Sequence, residues 1–150
     1  MTILFVCTGN TCRSLMAEGY ANKMASDLGL KEVSACSCGT YASFEFPTPK
    51  IVLELLKNEG VDASSHVSTP ATKETIEKAD LILVMEKSHL SDIVSLYPSA
   101  KTKTFLLKDF AGVNSGGEIR DPIGKPDREY KSCMEEIKEC ERKVFKKLFG

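Results

Sequence analysis

Cys7 and Arg13, separated by the five residues Thr8-Gly9-Asn10-Thr11-Cys12, form the pattern in this chain best suited to phosphoryl chemistry. A thiolate is a strong nucleophile, and a guanidinium presents a planar fork that matches two phosphoryl oxygens. Ser14 follows directly, where its hydroxyl could donate a hydrogen bond to that thiolate. The bland alternative makes Cys7 a buried strand-end cysteine and Arg13 a solvated helix residue. A bare Cys-x5-Arg pattern is weak evidence, so its surroundings decide between the two.

Those surroundings are a strand-to-helix turn. Thr2-Ile3-Leu4-Phe5-Val6 is β-branched and aromatic, as a short strand requires. Leu15, Met16, Ala17 and Glu18 are helix formers. Between them lie Gly9, an asparagine that tolerates left-handed backbone, and the small hydroxyl residues Thr8 and Thr11. Such a turn aims successive N–H groups into one concavity at the positive end of a helix, an anion-binding nest. Thr8, Gly9, Asn10, Thr11, Cys12, Arg13 and Ser14 are therefore the expected substrate-binding residues, with Cys7 beneath the phosphorus.

The segment Val6 to Ser14 resembles the phosphate loop of the low-molecular-weight protein tyrosine phosphatase family. That family includes bacterial enzymes acting on phosphotyrosine and others acting on phosphoarginine in proteins, and the resemblance extends over nearly the whole chain. It implies a three-layer α/β fold with a four-stranded parallel sheet in the order 2-1-3-4, and the phosphate loop after the first strand. It also implies a general acid at Asp121, in the pair Asp121-Pro122. The leaving atom must be protonated as its bond to phosphorus breaks, and a carboxyl on a mobile loop can do this. Taken alone, an Asp-Pro pair marks a turn. Cys7 is then expected to attack in line while Asp121 protonates the leaving group, and water activated by Asp121 hydrolyses the cysteinyl-phosphate. The nest and Arg13 carry the charge stabilisation, so neither a metal nor another cofactor is expected.

The same resemblance gives supporting roles. Ser37 and His66 resemble positions that brace the loop, although His66 equally reads as an ordinary loop histidine. Asn10 is expected to hold the loop in shape through its side-chain amide. Cys12 stands where the family often has a second cysteine that forms a reversible disulfide with the nucleophile. It also reads as a small buried residue packing beneath the loop, and both can hold. Asp80, Asp92, Asp109 and Asp127 read as strand edge, helix surface, turn and N-cap; His89 reads as solvated and Met85 as core.

Substrate is a finer matter. Thr11 stands where phosphotyrosine enzymes usually carry isoleucine or leucine, and Ile123 where they carry an aromatic residue. Leu15 replaces a proline, which reads as neutral. Thr11 resembles the arginine-phosphatase branch, although some tyrosine-type members share it. Phosphoarginine is favoured, with a phosphotyrosine-protein phosphatase as the alternative. An arsenate reductase would need a relay of further cysteines, yet none lies between Cys38 and Cys133. A non-catalytic phosphoprotein-binding module would not need Asp121. A thiol–disulfide oxidoreductase suits neither the four residues between Cys7 and Cys12 nor the nest.

The elements that position these residues follow in order. At 150 residues the chain is expected to be one domain, 1–150. The net charge of −1 supplies no basic field, so nucleic acid is not an expected partner. No stretch is long or apolar enough to span a bilayer, and the N-terminal apolar run lacks a basic lead. Six cysteines could suggest disulfides, but a reactive thiol needs reducing conditions, so a cytoplasmic location is expected. The expected partner is a phosphorylated protein, with the chain acting as a monomer. Periodicity predicts helices over 14–28, 47–59, 70–78, 87–96 and 127–149, the last with Tyr130, Met134, Ile137, Val144 and Leu148 inward. Strands are predicted over 2–6, 33–37, 79–85 and 103–106, and mostly loop over 108–127. Cys36-x-Cys38 and Cys133 with Cys140 lack zinc spacing.

Overall fold

Side-chain alternation along the first strand decides how the layers are built. In the computed structural model, which describes residues 1–113 and 117–150, β1 (Thr2–Cys7) places Ile3, Phe5 and Cys7 in one apolar core and Leu4 and Val6 in another. Neighbouring side chains of a strand point to opposite faces, so a strand apolar at every position needs cover on both. β2 (Ser34–Gly39), β3 (Leu81–Val84) and β4 (Thr104–Leu106) complete a four-stranded sheet in the order β2-β1-β3-β4, every pair parallel. This is the order that the resemblance implies. Val6 lies opposite Cys38 on one side and Val84 on the other, so the chain leaves β1 between two strand ends. That is where open parallel sheets bind ligands.

Helices α1 (Arg13–Asp27), α2 (Lys50–Asn58), α5 (Leu107–Ala111) and α6 (Asp127–Phe149) pack on the first face. Helices α3 (Lys73–Lys78) and α4 (Lys87–Leu96) and a 3₁₀ turn over Pro98–Lys103 cover the second through Ile76, Ile93 and Ala100. α1 stops where Gly29 turns left-handed at φ 69°. The Leu30 N–H then reaches Ala25 O at 2.8 Å and the Gly29 N–H reaches Ser26 O at 3.1 Å, a Schellman closure. No helix among the described residues is long and apolar enough to cross a membrane.

Several boundaries differ from those predicted. β2 runs to Gly39 because it continues pairing with β1 as far as Cys7. α2 begins at Lys50, after Pro49 at its N-cap, and α3 begins at Lys73, where the Thr72 hydroxyl accepts the Thr75 N–H at 3.2 Å. Pro70 belongs instead to a bridge with Gly39. Leu107–Ala111, expected as loop, is helical because Leu107 anchors it in the core. Asp127 is the first residue of α6, and Pro126 takes the N-cap. Of the expected 108–127 loop, residues 114–116 lie outside the described residues.

The inner face of α6 holds one residue that patterning passes over. Glu141 lies one helical turn from Ile137, Val144 and Phe145, all buried, and is itself 0% exposed. Neither of its carboxylate oxygens has a hydrogen-bond partner among the described residues, and burial holds the carboxyl well above its ordinary pKa. The unfolded carboxyl ionises at its ordinary value, so this site favours the folded state fully below that value and loses its contribution as pH rises. Glu141→Leu is therefore expected to raise stability at pH 8 by about 2 kcal/mol, the scale of one unsatisfied buried polar group. The gain should shrink at pH 5, as urea unfolding at the two pH values would measure.

Candidate active site

A loop that points several N–H groups inward repels itself electrostatically, and side chains must hold it open. Asn10 does most of this. It is 0% exposed and sits in the left-handed region at φ 57°. Its Nδ2 donates to Ser14 Oγ at 2.8 Å and to Ser37 Oγ at 2.9 Å, while its Oδ1 accepts the Thr69 N–H at 2.9 Å. Its backbone carbonyl accepts from His66 Nε2 at 2.7 Å and from Ser68 Oγ at 3.2 Å. Ser37 in turn donates to Glu18 Oε1 at 3.1 Å, and burial raises the Glu18 carboxyl above its ordinary pKa. Ser37 and His66 thus both touch Asn10.

The loop also needs room against β2. A Cβ on Gly39 would stand 2.3 Å from Thr8 O and 3.1 Å from Asn10 N, so only glycine lets the end of β2 lie there. Thr40 and Tyr41 continue that contact, their N–H groups donating to Cys7 O and Thr8 O at 2.9 Å each.

Cys7, 2% exposed, has its Sγ 2.9 Å from Ser14 Oγ. A Cys7 thiolate has no proton to give, so Ser14 would be the donor to it while its oxygen accepts from the Asn10 amide. Cys12 is buried beside it, its Sγ 3.5 Å from Thr11 Oγ1, and burial pushes its thiol up to about 11. A thiol raised that far stays protonated near neutrality. All six cysteines are free.

Arg13 is the largest charged group in the interior, at 1% exposure. Its Nη1 donates to Glu86 Oε2 and, at 2.8 Å, to the Ile119 carbonyl. Its Nη2 lies 3.5 Å from both Thr8 Oγ1 and Asp121 Oδ2. One edge of the guanidinium is held by the protein, and the other faces Asp121. That carboxyl is 40% exposed, and its Oδ1 accepts the Ile123 N–H at 3.0 Å, which closes the Asp121-Pro122 turn. Thiol, cation and carboxyl thus gather at the carboxyl end of β1. Thr11 is 5% exposed, and a Cβ on Gly9 would lie 3.7 Å from Thr11 Oγ1 and 3.8 Å from the Phe46 ring. Thr11 and Phe46 therefore flank Gly9. Ile123 is exposed.

Two members of this constellation are absent from the sequence reading, and a third is misplaced by it. Glu86 follows Met85 at the carboxyl end of β3, a position that a parallel sheet makes available to ligands. Gly39 is visible only once β2 and the loop touch. His89 is 1% exposed, not solvated. Its Nδ1 accepts the Glu86 N–H at 3.0 Å and its Nε2 lies 2.8 Å from Thr8 Oγ1. A groove of about 680 Å³ along α1 reaches Glu18 and His66 but neither Cys7 nor Arg13. Among the described residues no group of three or more His, Cys, Asp or Glu side chains is placed to hold a metal ion.

The bonds of Asn10 predict a graded response. Asn10→Ala should lower unfolding free energy by about 3 kcal/mol, through lost buried hydrogen bonds and a left-handed alanine. Asn10→Gly should recover only the backbone part, about 1–2 kcal/mol. Urea midpoints compare the two, and full recovery in the glycine variant would show that the side chain does not hold the loop.

A family model described as low molecular weight phosphotyrosine protein phosphatase matches residues 2–149. A protein-arginine-phosphatase from Bacillus subtilis (strain 168) is 38% identical, covering 99% of this chain and 97% of its own. Among solved structures, a low molecular weight protein tyrosine phosphatase from T. tengcongensis is 42% identical with a TM-score of 0.92, covering 99% of each chain. A YwlE arginine phosphatase, a mutant with a phosphorylated active-site serine, is 36% identical with a TM-score of 0.91 over 99% of this chain and 95% of its own.

Proposed function

The chain belongs to the low molecular weight phosphotyrosine protein phosphatase family, and from that premise we propose that it hydrolyses phosphorylated protein side chains, phosphoarginine foremost, with Cys7 as nucleophile. The observation that carries the assignment of roles is the 3.5 Å approach of Asp121 Oδ2 to Arg13 Nη2 above the loop that bears Cys7. A module that only bound phosphate would gain nothing from a carboxylate there, since it repels the ligand. A phosphatase needs that carboxyl, because the departing atom must take up a proton.

The chemistry runs in two displacements. The Cys7 thiolate attacks phosphorus while Asp121 delivers its proton to the leaving group, forming the S–P bond as the bond to the side chain breaks. Water then attacks the cysteinyl-phosphate, Asp121 takes its proton, and the thiolate departs with a hydrogen bond from Ser14. Throughout, the N–H groups of Thr8 to Arg13 and the Nη2 edge of the Arg13 guanidinium hold the equatorial oxygens. Cys12 protects the site: a Cys7 sulfenic acid condenses with the Cys12 thiol, releasing water and leaving a disulfide that thiols reduce. The enzyme works as a single 1–150 domain and a monomer, in the cytoplasm, where reducing conditions keep Cys7 competent.

Thr11 supports phosphoarginine over phosphotyrosine, together with the arginine-phosphatase name of the 38% identical relative. A phosphorylated guanidinium is planar and polar, and a hydroxyl beside Gly9 can bond it where isoleucine would offer only apolar contact. Phe46 does not discriminate, because a phenol and a guanidinium both stack on an aromatic face. Thr11→Ile should lower kcat/KM for phosphoarginine and preserve or raise it for phosphotyrosine. A methylene-scale contact is worth about 1–3 kcal/mol, so the ratio should move by roughly tenfold or more. An unmoved ratio would remove Thr11 as the selector and leave phosphotyrosine as the better substrate.

The catalytic roles have their own tests. Cys7→Ser should abolish turnover while still binding phosphate, and normal hydrolysis would exclude Cys7 as nucleophile. Asp121→Asn should slow substrates with poor leaving groups far more than activated aryl phosphates, which depart unprotonated. Equal losses on both classes would make Asp121 structural.

A further inference from the structure

His89 has a hydrogen-bonding arrangement that helix capping alone does not require. Its Nδ1 accepts the Glu86 N–H at 3.0 Å, so that nitrogen carries no proton. The neutral ring must then be protonated on Nε2, which lies 2.8 Å from Thr8 Oγ1 and donates to it. The neutral form is also the favoured one, since burial and the Arg13 charge both push His89 below its ordinary pKa. Arg13 Nη2 approaches the same hydroxyl at 3.5 Å and can only donate. Thr8 Oγ1 has two lone pairs and one proton, and both lone pairs face donors. No further hydrogen-bond partner of this hydroxyl lies among the described residues. Its own proton is therefore left to be donated elsewhere, from a half-buried residue one position beyond Cys7.

We propose that His89 is a positioning residue that orients the Thr8 hydroxyl as a hydrogen-bond donor to a phosphoryl oxygen held in the loop. The relay runs from the Glu86 N–H through the imidazole and the Thr8 hydroxyl to the anion, with every donor pointing the same way. No proton is transferred along it. The loop thereby gains a side-chain donor beyond its backbone N–H groups and Arg13, and α4 is wired directly to the substrate. Without His89 the Thr8 hydroxyl loses the nearer of its two donors, and it can spend its proton on solvent instead. The consequence for turnover rests on the phosphatase reading. The consequence for anion binding does not.

The test is a double-mutant cycle on inorganic phosphate affinity, read by calorimetric or NMR titration, with Thr8→Val, His89→Leu and the pair. Each single variant should weaken phosphate binding by roughly tenfold, the scale of one hydrogen bond to a charged group. The double variant should bind no worse than Thr8→Val alone, because His89 acts only through the hydroxyl. Multiplying losses, or an unchanged affinity in Thr8→Val, would overturn the relay. His89→Gln carries an acceptor and a donor spaced much as the ring nitrogens are, and should keep affinity within about threefold of wild type. A purely structural His89 would instead lower the thermal midpoint in proportion to the affinity lost, in either Thr8 background. Should His89→Leu fail to fold, Thr8→Val and His89→Gln still decide: weak binding in the first and near-normal binding in the second support the relay, and any other pairing refutes it. Turnover of an aryl phosphate by the same wild-type protein judges the phosphatase reading separately, and its absence would refute that reading while leaving the binding cycle intact.

Discussion

A loop whose N–H groups converge on one point is unstable unless something holds it, and here the hydrogen bonds of Asn10 do so. The residue combines the left-handed backbone the turn needs with an amide that can bond three ways at once. It ties the loop to α1 through Ser14, to β2 through Ser37 and to the segment before α3 through Thr69, and its carbonyl is held by His66. The shape of the loop is therefore set in folding, by bonds within the protein. One Ser14 hydroxyl touches both Asn10 and the Cys7 sulfur, so the residue that holds the loop is one contact from the thiol.

The second constraint is the burial of Arg13. An interior guanidinium needs anionic and carbonyl partners, and Glu86, the Ile119 carbonyl and Asp121 supply them. These come from beyond β3's end, from the irregular segment before Asp121, and from the Asp121 turn itself, so the cation gathers distant segments around the loop. Glu86 and Ile119 hold Nη1, while the part-exposed Asp121 and the Thr8 hydroxyl face Nη2. On the buried face of α6 the molecule tolerates a Glu141 carboxyl that has no hydrogen-bond partner among the described residues.

Much of this was legible in the chain before any coordinates. The 87–96 and 127–149 helices have the predicted limits, because their apolar periodicity is strong and their flanks carry clear stop signals. The boundaries that shifted lie where tertiary contact overrides local preference. β2 extends because β1 offers partners as far as Cys7, and Pro70 leaves the predicted helix because Gly39 pairs with it.

Cys7, Arg13 and their loop were determined by the sequence itself, since five intervening residues around a Gly-Asn turn leave a strand-to-helix nest as the fitting backbone. The long-range partners were not. Nothing local to Glu86 says that it meets Arg13, 73 residues away, or that His89 turns inward to Thr8, 81 residues away. Those contacts exist only because β1 and β3 pair in parallel register, which brings their carboxyl ends side by side. A sequence specifies reactive groups and turn geometry through local sterics. The pairing of a buried cation or a buried imidazole depends on which segments the sheet brings together, and only the tertiary structure decided that.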